Sequence, residues 1–183
     1  MLEKEQNLIE EAQNGQEAAF GQLYDHYMPR IYRFIYLKID NRAEAEDLAH
    51  ETFLSAWKNI HSYKSQGFPF SSWLYQIARN KVIDRYRTHK ANLSLEEMDE
   101  EALGVVASTA EYSLDTALSL EKVQKGLKAL THEQQDVLIM RFVEELSPKE
   151  IAEAIGKNEG AVRVIQHRAL NALKKYFEEE HEV

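Results

Sequence analysis

The 183-residue chain contains no cysteine, which excludes disulfides, thiolate metal sites and cysteine nucleophiles and suits a reducing compartment. Only seven glycines and three prolines interrupt it. Strand and turn punctuation is therefore scarce, while Ala, Leu, Glu, Lys and Gln, the residues favoured in helix interiors, abound. The expectation is an all-α protein. No uninterrupted apolar run reaches membrane-spanning length, and the N-terminal MLEKEQNLIEEAQNG is acidic where a secretory signal would be basic and then apolar. A cytoplasmic protein with no membrane insertion is expected. Positive charge is also in short supply: 22 Lys and Arg face 31 Asp and Glu, a net charge of −9, which argues against a nucleic-acid partner unless the acids are segregated.

They are segregated. From Ala91 to Glu121 there is no Lys or Arg, and Glu96, Glu97, Asp99, Glu100, Glu101, Glu111, Asp115 and Glu121 supply eight carboxylates. LGVVASTAEYS in its middle has no sustained helical period, so residues 91–113 read as a flexible acidic linker between two small helical domains, 1–90 and 114–183. A surface loop inside one domain is the alternative, and loops of this length in compact domains are uncommon.

In the first domain Leu8 and Ala12, then Phe20, Leu23 and Tyr27, then Ile31, Phe34 and Ile35 recur at helical steps. Pro29 suits the first turn of a new helix, and Asp40 with Asn41 suits the cap of the next. That next helix places Ala45, Leu48, Ala49, Thr52, Phe53, Ala56, Trp57 and Ile60 on one face, and Glu44, Asp47, His50, Glu51 and Ser55 on the other. HSYKSQGFPF then breaks the helix. Ser71 or Ser72 is expected to cap a further helix through Trp73, Ile77, Ala78, Val82 and about Tyr86, whose end carries Arg79, Lys81, Arg85, Arg87 and Lys90 against the single acid Asp84.

In the second domain Leu120, Val123, Leu127 and Leu130 form a stripe, Thr131 and Gln134 match a capping box, and Val137, Leu138 and Phe142 continue the core. Ser147, Pro148 and Glu150 satisfy the orphan amides of a helix start, Gly156 ends that helix, and Asn158 caps the last. Two helices joined by Gly156-Lys157-Asn158 have the form of a helix-turn-helix. With Val162, Ile165, Ala169 and Leu173 inward, the residues Gly160, Ala161, Arg163, Val164, His167, Arg168 and Asn171 face outward, towards a major groove. Arg163 and His167 can reach base edges or phosphates, Lys157, Arg168, Lys174 and Lys175 suit phosphates, and Asn158 joins the expected duplex contacts. Six basic residues against three acids over 147–176 make this stretch locally positive. A plain helical hairpin with a solvated charged face is the competing reading.

The aromatic loop and basic helix form a second constellation: Tyr63, Lys64, Phe68 and Trp73 beside Arg79, Asn80, Lys81, Arg85, Tyr86 and Arg87. Aromatic faces stack on unpaired bases while cations follow the backbone, which suits a melted strand. The alternative is that Trp73, Phe70 and Phe68 fill the core.

AEAEDLAHETFLSAW (43–57), FSSWLYQIARNKVIDRYR (70–87) and SPKEIAEAIGKNEGAVRVIQHRALNAL (147–173), in that order around an acidic linker, resemble the second and fourth regions of extracytoplasmic-function (ECF, group 4) RNA polymerase sigma factors. The resemblance implies a factor that brings core RNA polymerase to promoters and helps melt them in response to stress or envelope signals. It implies that Asp47, His50, Glu51 and Leu54 dock on the clamp helices of the largest subunit. Residues 61–87 would read the non-template strand of the minus-ten element, and the helix-turn-helix the minus-thirty-five duplex. The first helices of the second domain would meet the flap of the second-largest subunit, and an anti-sigma factor would hold the protein off. Two departures stand out: His50 replaces a common Gln, and Arg163-Val164-Ile165 replaces a common Lys-Ser-Arg run, removing one positive charge and one hydroxyl from the DNA face.

Two other classes compete. Carboxylates such as Glu46, Asp47 and Glu51 could serve acid–base or metal chemistry, but they lie on the polar face of an amphipathic helix without a Gly-rich phosphate loop or converging ligand set. No enzyme activity and no cofactor is expected. A stand-alone helix-turn-helix regulator would need a dimerisation or sensing domain in place of the first block.

Overall fold

Apolar residues three and four positions apart lay down an N-terminal body of four helices, seen in a computed structural model that describes residues 4–39, 41–65, 67–93 and 122–181. Helix α1 (Glu5–Gln13) buries Ile9 and Ala12 against α2 (Glu17–Ile39), which buries Phe20, Leu23, Tyr27, Ile31, Phe34 and Ile35. Helix α3 (Arg42–Asn59) closes on α2 through the stripe from Ala45 to Ala56 and ends in a 3₁₀ turn, Ile60–Ser62. Its N-cap is Asn41, whose side chain accepts from the Glu44 amide at 3.0 Å; Asp40, the other expected cap, lies outside the described residues. Helix α4 (Phe70–Leu93) packs against both α2 and α3.

Two expectations for this half are corrected. Pro29 does not start a helix; it lies within α2. The buried stripe keeps its register from Leu23 through Tyr27 to Ile31, so packing on both sides holds the helix continuous despite the amide hydrogen bond that proline lacks. Nor do Ser71 or Ser72 cap α4: both lie inside its first turn and are buried, and Pro69 supplies the carbonyl that accepts from the Ser72 amide at 3.0 Å. Helix α4 also continues to Leu93, three residues into the segment assigned to the linker. The rest of that segment, and Leu120 of the expected stripe, lie outside the described residues.

The C-terminal body consists of α5 (residues 122–128), α6 (His132–Leu138), a π turn (Ile139–Val143), α7 (Pro148–Ile155) and α8 (Glu159–His181). The capping boxes at Thr131/Gln134 and Ser147/Glu150 form reciprocally as expected. Gly156 takes the left-handed conformation (φ 67°) that ends α7, and Asn158 Oδ1 accepts from the Ala161 amide at 2.8 Å. Helix α5 crosses α8 so closely that a Cβ on Gly126 would stand 2.9 Å from the Phe177 ring.

Two core assignments fail here. Val123 is 47% exposed, its place on the inner face of α5 taken by Gln124. Phe142 is 57% exposed, because the π turn inserts one residue and rotates the chain beyond it by about 100°. The same rotation carries Glu144 inward, its amide reaching back to the Ile139 carbonyl at 3.0 Å, and Glu145 then leaves the turn in a left-handed conformation (φ 58°).

The two bodies pack together. Helix α4 lies along α7, and α2 reaches the π turn. Among the described residues there is no strand, and no helix is long and apolar enough to cross a membrane.

Candidate nucleic-acid interface

Helix α8 presents one continuous outward strip. Gly160, Arg163, Val164, His167, Arg168 and Asn171 are exposed and Ala161 is half-buried, while Val162 and Ala169 anchor the opposite face in the core. Ile165 and Leu173 are partly buried against that core, as expected. Among the described residues Arg163 makes an exposed 3.4 Å contact with Glu159, a weak tether that a base or phosphate can displace. His167 Nε2 and Asn171 Nδ2 lie 3.1 Å apart, so the two polar tips one turn apart act as a pair. Lys157 and Asn158 stand exposed at the turn, Lys157 in contact with Glu133 at 3.1 Å.

Helix α4 carries two distinct faces, a division the sequence does not announce. Trp73, Ile77, Asn80, Lys81 and Asp84, joined by Ser55, Asn59 and Ser62 of the preceding elements, line an open cavity of about 360 Å³. Trp73, Asn80 and Lys81, three of the residues expected to meet a single strand, therefore come together. Tyr63 packs against Trp73 and edge-on to Phe70, ring centres 5.0 and 5.2 Å away, and burial raises its phenol above the ordinary value. The stacking and core readings of these aromatics are thus not exclusive: Phe70 is core, Trp73 and Tyr63 are half-buried at its edge, and Lys64 is exposed.

The other face of α4 turns towards the C-terminal body. Tyr75 donates to Glu144 at 2.9 Å, Arg79 donates to Asp136 at 2.8 Å, and Tyr86 stacks on His132 with ring centres 4.3 Å apart. Phe68 lies beneath the Lys149 ammonium of α7 at 5.3 Å. The basic patch is largely neutralised: Lys81 pairs with Glu51 at 3.2 Å, Arg85 with Glu44, and Arg87 with Asp84 at 3.5 Å. Burial, reinforced by Glu44 and Asp136, pushes the Tyr86 phenol up to about 12, and its hydroxyl donates to the Lys38 carbonyl at 2.6 Å.

Sequence reasoning missed the centre of this junction. Glu144 accepts from Arg30 at 3.1 Å, from Arg33 at 2.7 and 3.1 Å, and from Tyr75; Asp136 accepts from Lys38 and Arg79. Both carboxylate side chains are wholly buried, and every side-chain donor comes from the N-terminal body. Burial pushes the Lys38 ammonium below its ordinary value, with Asp136 opposing. A faint signal exists: Lys38 stands between Leu37 and Ile39, and Asp136 immediately precedes four apolar residues.

On α3, Asp47, His50, Glu51 and Leu54 share the outer face, Leu54 58% exposed. An apolar groove of about 440 Å³ opens beside them, lined by Phe20, Tyr24, Phe53, Leu54 and Trp57 with Glu17 and His50 at its rim. His50 stacks nearly parallel on Tyr24, ring centres 6.5 Å apart. Among the described residues no cluster of His, Asp or Glu suits a metal ion.

Residues 23–92 match the Sigma-70 region 2 family and residues 126–175 the Sigma-70 region 4 family. Over 178 residues the chain is 33% identical to the ECF RNA polymerase sigma factor SigW of Bacillus subtilis, covering 91% of this chain and 93% of that protein. The chain belongs to the ECF sigma factor family. It is also 38% identical over 168 residues to the ECF sigma factor BldN of Streptomyces coelicolor, covering 92% of this chain but only 64% of that longer protein. The same fold appears in the structure of CnrH in complex with the cytosolic domain of CnrY, with a TM-score of 0.74 at 22% identity over 96% of this chain and 98% of that one. It appears again in the sigma factor RpoE of Bartonella quintana, with a TM-score of 0.69 at 22% identity over 87% and 96% of the two chains. In ECF terms, the cavity and loop fall within region 2 and the outward strip of α8 within region 4.

Proposed function

We propose that this protein works as a group 4 sigma factor: residues 1–90 dock on core RNA polymerase and open the minus-ten element, 91–113 link the domains, and 114–183 read the minus-thirty-five duplex. The observation that carries this reading is the coexistence, in one chain of the ECF family, of a helix-turn-helix whose whole outward strip is exposed and a polar, aromatic-edged cavity beside an apolar groove. A duplex reader alone needs only the first. Arg163, His167, Arg168 and Asn171 then face the major groove, with Lys157, Asn158, Gly160, Ala161 and Val164 along its walls. Trp73, Asn80 and Lys81 hold an unpaired base in the cavity, and Tyr63, Lys64, Phe68, Arg79, Arg85, Tyr86 and Arg87 extend the track along the strand.

The groove beside α3 takes an apolar side chain of the polymerase clamp, with Asp47, His50, Glu51 and Leu54 at the contact. Region 4 meets the flap, and the protein acts in the cytoplasm without chemistry of its own. An anti-sigma partner is part of the proposal, since CnrH and the Bartonella RpoE, which share the fold, are each seen in complex with a second protein, an anti-sigma factor in the latter case. Added to bacterial core polymerase, the protein should direct RNA synthesis from promoters selected out of random DNA by the reconstituted holoenzyme. Competent core that stays silent on every selected sequence would overturn the reading.

A further inference from the structure

We propose that Gln13, the last residue of α1, is a positioning residue for strand opening: its amide grips the chain on both sides of Ser62 and so sets where Ser62 and Tyr63 stand at the edge of the base cavity. The inference rests on the single-strand role proposed for that cavity. It brings into that role a helix that supplies none of the cavity's lining, which comes from α3, the 3₁₀ turn and α4.

The contact is long-range and doubled. Gln13 Nε2 donates to the Ile60 carbonyl at 3.0 Å and to the Tyr63 carbonyl at 2.7 Å, 47 and 50 positions further along the chain. A primary amide has two N–H donors, one for each acceptor. The two carbonyls bracket His61 and Ser62. Ile60 is fully buried, and at Tyr63 the backbone becomes extended (φ −63°, ψ 129°) to enter the aromatic loop. Gln13 therefore joins the fixed side of the turn to its outgoing side.

A turn of three residues, closed by the Tyr63 amide donating to the Ile60 carbonyl at 3.1 Å, has little stiffness of its own. The Ser62 hydroxyl donates to the Asn59 carbonyl at 2.7 Å, and the Tyr63 and Ser65 hydroxyls each lie 3.4 Å from the Phe68 carbonyl. These bonds hold the turn and loop to themselves. Packing on Trp73 and Phe70 places the Tyr63 ring, but ring contacts tolerate sliding, whereas a hydrogen bond weakens steeply with distance and angle. The Gln13 amide supplies the directional restraint.

Helix α1 is itself well anchored. Ile9 and Ala12 are buried against α2, and Glu5 at its far end accepts from the buried Tyr27 hydroxyl. The chain leaves α1 through Gly15 in a left-handed conformation (φ 86°), so the helix stops at the turn it restrains.

Three full-length variants assembled with core polymerase test the inference. Gln13→Glu keeps the shape but sets acceptors against two carbonyl oxygens, Gln13→Met keeps the length without a donor, and Gln13→Lys keeps donors. The probe is a promoter selected by the wild-type holoenzyme, assayed well below each variant's unfolding midpoint so that every protein is folded. In the Glu and Met variants permanganate-reactive thymines should appear about tenfold more slowly, since a small misplacement of a positioned group is costly. Binding of the non-template single strand by holoenzyme should weaken by a similar factor, core affinity should stay unchanged, and the Lys variant should open the promoter at close to the wild-type rate. Normal opening by the Glu and Met variants, a Lys variant no better than Met, or a matching loss of core affinity would each overturn the proposal. Loss of helical circular dichroism in both the Glu and Met variants would make Gln13 a residue of the fold alone and overturn it too. Failure of the sigma assignment would show separately, as wild-type holoenzyme that opens no promoter.

Discussion

The Tyr75 hydroxyl donates to a Glu144 carboxylate oxygen at 2.9 Å, joining residues 69 positions apart in the chain. Tyr75 is fully buried, with Phe34 edge-on to its ring at 5.4 Å. Replacing it by Phe keeps that packing and removes one hydrogen bond to a charged acceptor, so Tyr75→Phe should lower stability by about 1.5–3 kcal/mol. Urea unfolding of the two proteins checks this; an unchanged midpoint would mean that Arg30 and Arg33 alone satisfy Glu144.

Among the described residues of the first domain Leu54 is the most exposed large apolar side chain, and it borders the groove between α2 and α3. Leu54→Glu should leave folding stability within about 0.5 kcal/mol, as surface changes do, while abolishing co-purification with core polymerase. Retained binding would move the clamp contact away from this groove.

What was legible in the sequence was what local chemistry decides. The Thr131/Gln134 and Ser147/Glu150 boxes, the Gly156 stop and the Asn158 cap each involve partners within a few residues, and all form. The inner stripe of α3 was legible for the same reason. The π turn was not, because Ile139, Met140, Phe142 and Val143 are all apolar and no periodicity marks where a residue is inserted. Glu144 and Asp136 were illegible for a different reason: their partners lie 57 to 114 positions away, and a buried carboxylate reads from sequence as an ordinary surface acid. At Pro29 the local rule for proline loses to packing, because the buried stripe through Leu23, Tyr27 and Ile31 carries the helix past it.

Within the surface proposed to read a single strand, Tyr63 and Phe68 differ in how far they also hold the fold. Tyr63 packs on Phe70 and Trp73, so Tyr63→Ala would confound packing with function. Phe68 makes its ring contact with Lys149 at 5.3 Å. Phe68→Ala should therefore reduce permanganate reactivity of the melted region while sparing core binding. Full reactivity would remove Phe68 from the strand track.

Alkaline pH should weaken the fold. Burial holds the phenols of Tyr27 and Tyr75 far above the ordinary value of 10.0 and raises Tyr86 to about 12. A raised phenol contributes stability that is complete below the unfolded value of 10.0 and is lost as pH climbs through the folded one. Lys38, lowered by burial, acts in the opposite sense below the ordinary lysine value of 10.5. The three tyrosines outweigh it, so the urea midpoint should fall steadily from pH 10 to 12, with three of the nine tyrosines silent in the tyrosinate absorbance until unfolding. Ionisation of all nine before the midpoint moves would contradict this.

Arg163 and Val164 belong to the strip proposed to read the upstream duplex. Arg163 stands exposed on the outward strip with a weak 3.4 Å contact to Glu159, so Arg163→Ala should leave stability nearly unchanged. If the guanidinium meets a base edge, duplex affinity should fall by about 1–3 kcal/mol for the selected sequence and hardly at all for unrelated DNA. If it meets only phosphate, the loss should be similar for every sequence and the salt slope should flatten by about one unit. Val164, 49% exposed beside it, offers an apolar surface that suits a thymine methyl. Val164→Ser should then relax the preference for thymine at one upstream position without changing the salt slope, and selection of bound duplexes before and after the substitution reads both effects. An unaltered sequence preference would leave Val164 outside the contact.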